Sequence, residues 1–185
     1  MNNQKKKVPS REYIFDPTFV MQPPFLSEPV YNLVLQACVI CCTDILFVNS
    51  KHETTYLFPR KVHPFHGWWL CGGRIPAGTP LLTAAVKKIR SETGLTIAKE
   101  RLTLIAIHRY IFPLREQEPQ NTGSDSMAWT YALEPTQAEL DFMRSSLDPK
   151  EYEDGSALRE FTRDDLIRNH VYQEIIDLYD TVFPR

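Results

Sequence analysis

One stretch, Gly67 to Leu95 (GWWLCGGRIPAGTPLLTAAVKKIRSETGL), limits what this chain can fold into. Trp68, Trp69 and Leu70 are a short bulky apolar run suited to a buried strand end. Gly72 and Gly73 let the backbone turn sharply and leave room for a ligand to approach, and Arg74 follows at once. Gly78 and Pro80 bracket Thr79, which reads as an N-cap with proline at the first helical position. Leu81, Ala85 and Ile89 then form one stripe of a helix, with Leu82 and Val86 beside it, and Gly94 stops it. The order is strand, glycine turn, loop, helix, with a guanidinium at the turn.

These residues resemble the Nudix box, whose pattern is Gly, five residues, Glu, seven residues, then Arg-Glu-apolar-any-Glu-Glu-any-Gly-apolar. Anchored on Gly94, the scaffold positions Gly73, Ile89, Gly94 and Leu95 match. The chemical positions diverge: Thr79 replaces the first Glu, Lys87 the Arg, and Lys88 and Ser91 two metal-binding Glu, which leaves Glu92. The resemblance implies an α/β (α+β) Nudix fold, a curved mixed β-sheet between helices. A divalent cation bridging a diphosphate needs several hard oxygen ligands. Here Lys88 and Glu92, four residues apart, share a helix face. A lysine at a ligand position pairs with Glu92 and takes the space of the metal. As a plain surface pair it is worth ~0.3–0.5 kcal/mol.

The GDP-mannose mannosyl hydrolase branch of that family also lacks most box carboxylates, keeps the last Glu and carries Gly-Gly-Arg. The resemblance to this branch implies metal ligands at Gly72 (its carbonyl) and Glu92, with Asp154 or Glu153 as the third, holding Mg²⁺ or Mn²⁺. It implies that Arg74 contacts the diphosphate, as an arginine fork suits phosphate oxygens. It also implies that Arg60 binds phosphate, since the branch has an arginine at a similar distance before Gly-Gly-Arg. The expected catalytic set is Arg74, Glu92, Glu153 and Asp154. The branch's downstream Gln-His pair falls near Asp154-Gly155, where this chain has no histidine.

The remainder of the chain fits one domain with an extension. Of 185 residues, 43% are hydrophobic and 24% charged, which suits a globular protein and excludes a disordered one. A net charge of −2 gives no reason to expect nucleic acid or an anionic membrane as a partner. Cys38, Cys41, Cys42 and Cys71 have no second metal half-site, and the run QACVICCTDILFV reads as a buried strand with small core cysteines. Reduced thiols and the absence of a membrane span or signal peptide place the protein in the cytoplasm.

Residues 1–30 read as a lead. Lys5-Lys6-Lys7 is a solvated tail, while Tyr13, Phe15, Phe19, Val20, Met21 and Phe25 are apolar enough to pack on the domain or on a second subunit of a homodimer. Within the domain, 31–185, residues 31–48 read as two strands joined near Thr43-Asp44. Leu102–Phe112 and Met127–Leu133 read as strands, and His108 as a buried, hydrogen-bonded histidine. Thr136 with Glu139 opens a helix by a capping box. Ala157–Thr162 reads as an edge strand and His170–Val182 as an amphipathic helix. His63-Pro-Phe-His66 has metal spacing but no third ligand.

Three functions fit. The first is metal-assisted hydrolysis of a nucleoside diphosphate linked to another moiety such as a sugar. The second is a catalytically inactive Nudix-like domain in which Lys88 replaces the cation and Arg60, Arg74 and Lys87 hold a phosphorylated ligand or nucleotide. The third is a partner-binding module built on the apolar lead.

Overall fold

In the computed structural model, residues 10–16, 18–64, 66–153 and 158–185 are described. Strand β1 (Ile40–Asn49) is the centre of the sheet. Its consecutive residues Ile45, Leu46, Phe47 and Val48 are all buried, so both faces of the sheet must be covered. One side of β1 pairs in parallel with β6 (Ser124–Leu133), which in turn pairs antiparallel with β5 (Thr103–Phe112). The other side pairs antiparallel with β2 (Thr54–Arg60) and, nearer its start, with β4 (Cys71–Arg74). Strand β3 (Gly67–Trp69) and strand β7 (Arg159–Phe161) add to β2.

Side-chain alternation along the strands builds two cores. On one face Ile45 and Phe47 pack with Ala85 and Ile89 of the box helix, α2 (Leu81–Thr93). The same core takes Leu140 and Met143 from α3 (Gln137–Ser146). On the other face Leu46 and Val48 pack with Leu166 of α4 (Arg163–Arg168) and with Ile175 and Leu178 of α5 (Gln173–Val182). Each buried Ile, Leu, Val, Phe or Met side chain among these stabilises the fold by roughly 1.5–3 kcal/mol. The expected sheet between helices is the architecture observed.

Several local expectations hold. Gly94 ends α2 in the left-handed region at φ 71°. Thr136 and Glu139 form the capping box of α3. Others are corrected. Residues 31–37 are not a strand but part of a helix, α1 (Glu28–Ala37), which Pro29 opens. Thr43 and Asp44 do not turn; they are buried in the middle of β1, held there by pairing with Gly73 and Gly72. A short apolar run looks alike as helix or strand, and the parallel ladder to β6 decides it. Thr79 does not cap α2: the helix begins at Leu81, directly after Pro80, and Oε1 of Glu12 accepts the Leu81 N–H at 2.9 Å. Cys38 and Cys41 are exposed rather than core residues. His108 is half-buried, with Nδ1 3.4 Å from the Tyr110 hydroxyl. The tail lysines Lys5–Lys7 lie outside the described residues.

Candidate active site

The glycine turn packs against β1. A Cβ on Gly72 would stand 2.2 Å from Oδ1 of Asp44 and 2.4 Å from the Thr43 carbonyl, so only glycine fits beneath that carboxyl. Gly73 has φ +148° and lies against the Lys88 side chain. The turn therefore brings β1, β4 and α2 within side-chain reach at one point.

Glu92 lies behind this turn, 3% exposed. Its Oε2 accepts the Tyr152 hydroxyl and the Gly72 N–H, the latter at 3.3 Å. Its Oε1 is 3.7 Å from Nζ of Lys88. Burial pushes the Glu92 carboxyl up, against the opposing pull of the Tyr152 hydrogen bond and the Lys88 ammonium. Asp44 is buried beside it and is pushed up to about 7, first by burial and then by the Glu92 charge.

In front of the turn is a cavity of about 290 Å³. Asp44, Arg60, Arg74, Tyr110, Arg115 and Glu151 are among its lining residues, together with Gly72 and Gly73. Arg74 is exposed, and its guanidinium lies 4.4 Å from the centre of the Tyr31 ring. Arg60 is ion-paired with Glu151 at 3.1 Å and donates to the carbonyls of Val62 and His63. Tyr31, Trp69, Tyr110 and Phe112 supply aromatic wall.

The residues named from sequence divide accordingly. Arg60, Arg74 and Gly72 meet at the cavity. Lys88 and Glu92 stand behind it, not on its wall. Lys87 is exposed on α2 and away from it. Glu153 is exposed, and its N–H donates to the Pro59 carbonyl; Glu151, two residues earlier, is the acid of this segment that reaches the cavity. Asp154 lies outside the described residues. Sequence reasoning misses Asp44, Arg115 and Tyr152. Asp44 carries a signal, a carboxylate inside an apolar strand; Arg115 and Tyr152 depend on loops whose path no local pattern gives.

Among the described residues, the donor set does not fit a divalent cation at Glu92. One carboxylate oxygen is saturated by an O–H and an N–H, and an ammonium stands at the other. Among the described residues, no three His, Cys, Asp or Glu side chains come together to hold a metal.

The NUDIX domain family model matches residues 42–177, most of the chain, from β1 into α5. This chain belongs to the Nudix family. Among solved structures, it resembles a NUDIX hydrolase from Nitrosomonas europaea, with 12% identity and TM-score 0.52, over 78% of this chain and 88% of that one. It also resembles the E. coli dihydroneopterin triphosphate pyrophosphohydrolase, with 13% identity and TM-score 0.51, over 76% and 92%. A MutT/nudix family protein from Enterococcus faecalis is similar at 18% identity and TM-score 0.44, over 76% of this chain but only 46% of its own length. No curated protein matches the chain. The first two likenesses support the Nudix fold; the GDP-mannose mannosyl hydrolase branch receives no support from the comparisons. Nudix hydrolases generally use divalent metal ions, which sets the rearranged surroundings of Glu92 apart from the family habit. No helix among the described residues is long and apolar enough to cross a membrane.

Proposed function

We propose that this Nudix domain binds a phosphorylated, nucleotide-derived small molecule in the cavity in front of Gly72-Gly73, without a divalent ion on Glu92. The observation that carries this reading is the pairing of Lys88 and Tyr152 with the one remaining box carboxylate, while Arg60 and Arg74 line the cavity. The fixed ammonium takes over the charge balance of Glu92, and guanidinium forks are suited to phosphate oxygens. The aromatic wall offers faces for a base or sugar. Thermal unfolding with nucleoside diphosphates in a chelating buffer tests it. A rise in Tm that needs no metal supports the reading; none with any nucleotide removes it.

A second reading is hydrolysis of a nucleoside diphosphate joined to another group, a nucleotide sugar being one form, as the hydrolase superfamily supports. Asp44 favours it: a buried carboxyl on the cavity wall, titrating near neutrality, is placed to take the proton of an attacking water. Turnover of a nucleotide-sugar and dinucleotide panel, with and without Mg²⁺, separates the two. Metal-dependent turnover lost in Glu92→Gln returns the chain to Mg²⁺-assisted chemistry. We attach to either reading a homodimer through the apolar lead and a cytoplasmic setting, the latter resting on four free thiols.

A further inference from the structure

Arg115 is 2% exposed and heads the largest fully buried side chains of the fold. Its Nε donates to the Gln117 carbonyl at 3.0 Å, and its two terminal nitrogens donate to the carbonyls of Asn32 at 3.4 Å and Glu118 at 3.3 Å. All three partners are neutral, and a guanidinium carries five N–H groups. No carboxylate among the described residues is at ion-pair distance from it. A buried cation without an anion costs several kcal/mol. Tying down a loop needs only neutral donors, so the charge itself calls for a partner.

The cavity can supply that partner, because Arg115 is on its wall. Arg115 meets α1 at Asn32, and Arg74 stacks on Tyr31, the residue before it. Two guanidinium groups thus stand at one stretch of α1, and neither is ion-paired among the described residues. The acids nearby are engaged elsewhere. Glu116 accepts the His63 N–H, Asp125 pairs with Arg109, and Glu151 pairs with Arg60. Asp44 is buried beneath Gly72, beside Glu92.

We propose that Arg115, with Arg74, forms an anion subsite that takes the terminal phosphate of the ligand and makes Arg115 a specificity-determining residue. This rests on the cavity reading above. It selects ligands with two or more phosphate groups over those with one.

Titration calorimetry on the full chain with inorganic diphosphate, in a chelating buffer, tests it. The wild type is expected to bind diphosphate, Arg115→Gln to lose about tenfold or more in affinity, and Arg115→Lys to recover part of it. A lowered Tm with unchanged diphosphate affinity in Arg115→Gln means a loop staple only and overturns the proposal. If Arg74→Ala weakens binding and Arg115→Gln does not, the cavity reading stands and the Arg115 subsite falls. If the wild type binds neither diphosphate nor any nucleoside diphosphate, both fall. Should Arg115→Gln fail to fold, a crystal of the wild type with diphosphate decides: a phosphate oxygen on the Arg115 guanidinium supports the subsite, and diphosphate bound elsewhere overturns it.

Discussion

The hydroxyl of Tyr152 donates to Oε2 of Glu92, joining the segment after α3 to the last acid of the box helix. The same residue that the resemblance nominates as a metal ligand is thereby part of the interior. Tyr152 is itself fully buried, stacked at a tilt on Phe58 with centroids 5.4 Å apart.

Replacing Tyr152 by Phe keeps the ring packing and removes the hydroxyl. A hydrogen bond to a charged group contributes about 1.5–3 kcal/mol. Tyr152→Phe is expected to lose stability on that order in urea unfolding, with the m-value unchanged. An unchanged midpoint would show that the bond does not hold Glu92.

Lys88 and Glu92 form an i,i+4 pair behind Gly73. Lys88→Glu sets two carboxylates side by side, a repulsive arrangement in that geometry. The variant is expected to unfold at a lower Tm than wild type in chelator and to gain Tm when Mn²⁺ is added. Wild type should show no Mn²⁺-dependent rise. A rise in wild type as large as in the variant would mean that Lys88 is no substitute for the ion.

The pH dependence follows from Asp44. In the folded state it titrates at about 7, above the ordinary aspartate value of 3.8, so the folded state binds more protons between those values. Stability contributed by this group is therefore full below about 4 and is lost as pH rises through 7, at roughly 1.4 kcal/mol for each pH unit crossed. Glu92 is raised in the same direction and adds to the slope. Asp44→Asn, close in shape and uncharged, is expected to be more stable than wild type at pH 8 and similar at pH 4. Equal stability at pH 8 would contradict the raised Asp44 carboxyl.

Gly72→Ala places a methyl group onto the Asp44 carboxyl and the Thr43 carbonyl, one of them rigid backbone. A loss of about 3 kcal/mol or more is expected in urea unfolding. Asp44→Gly in the same chain removes the side-chain half of the clash but not the backbone half, so rescue should be partial.

The box helix and its glycine stop are legible in the sequence because they rest on local rules: a stripe, a C-cap and a turn. So are the capping box at Thr136 and strands β5 and β6. The first helix is not, since Tyr31 to Ala37 reads as apolar in either period, although Ser27, Glu28 and Pro29 together mark its start. Thr43-Asp44 looks like a turn because polar residues usually interrupt strands. The structure buries them since Gly72 leaves the room they need, in a strand paired through Gly72 and Gly73. Arg60 and Arg74 stand out in the sequence and line the cavity, whereas Glu151 rather than Glu153 reaches it. That choice depends on the pairing of Arg60 with Tyr152 across two distant segments, which spacing along the chain does not encode.

The most direct measurement is calorimetric titration of the full chain with nucleoside diphosphates, once in chelator and once in Mg²⁺. The expected result is saturable binding of equal strength in both, weakened about tenfold or more by Arg74→Ala and little changed by Glu92→Gln. Binding that appears only with Mg²⁺ and vanishes in Glu92→Gln would contradict it.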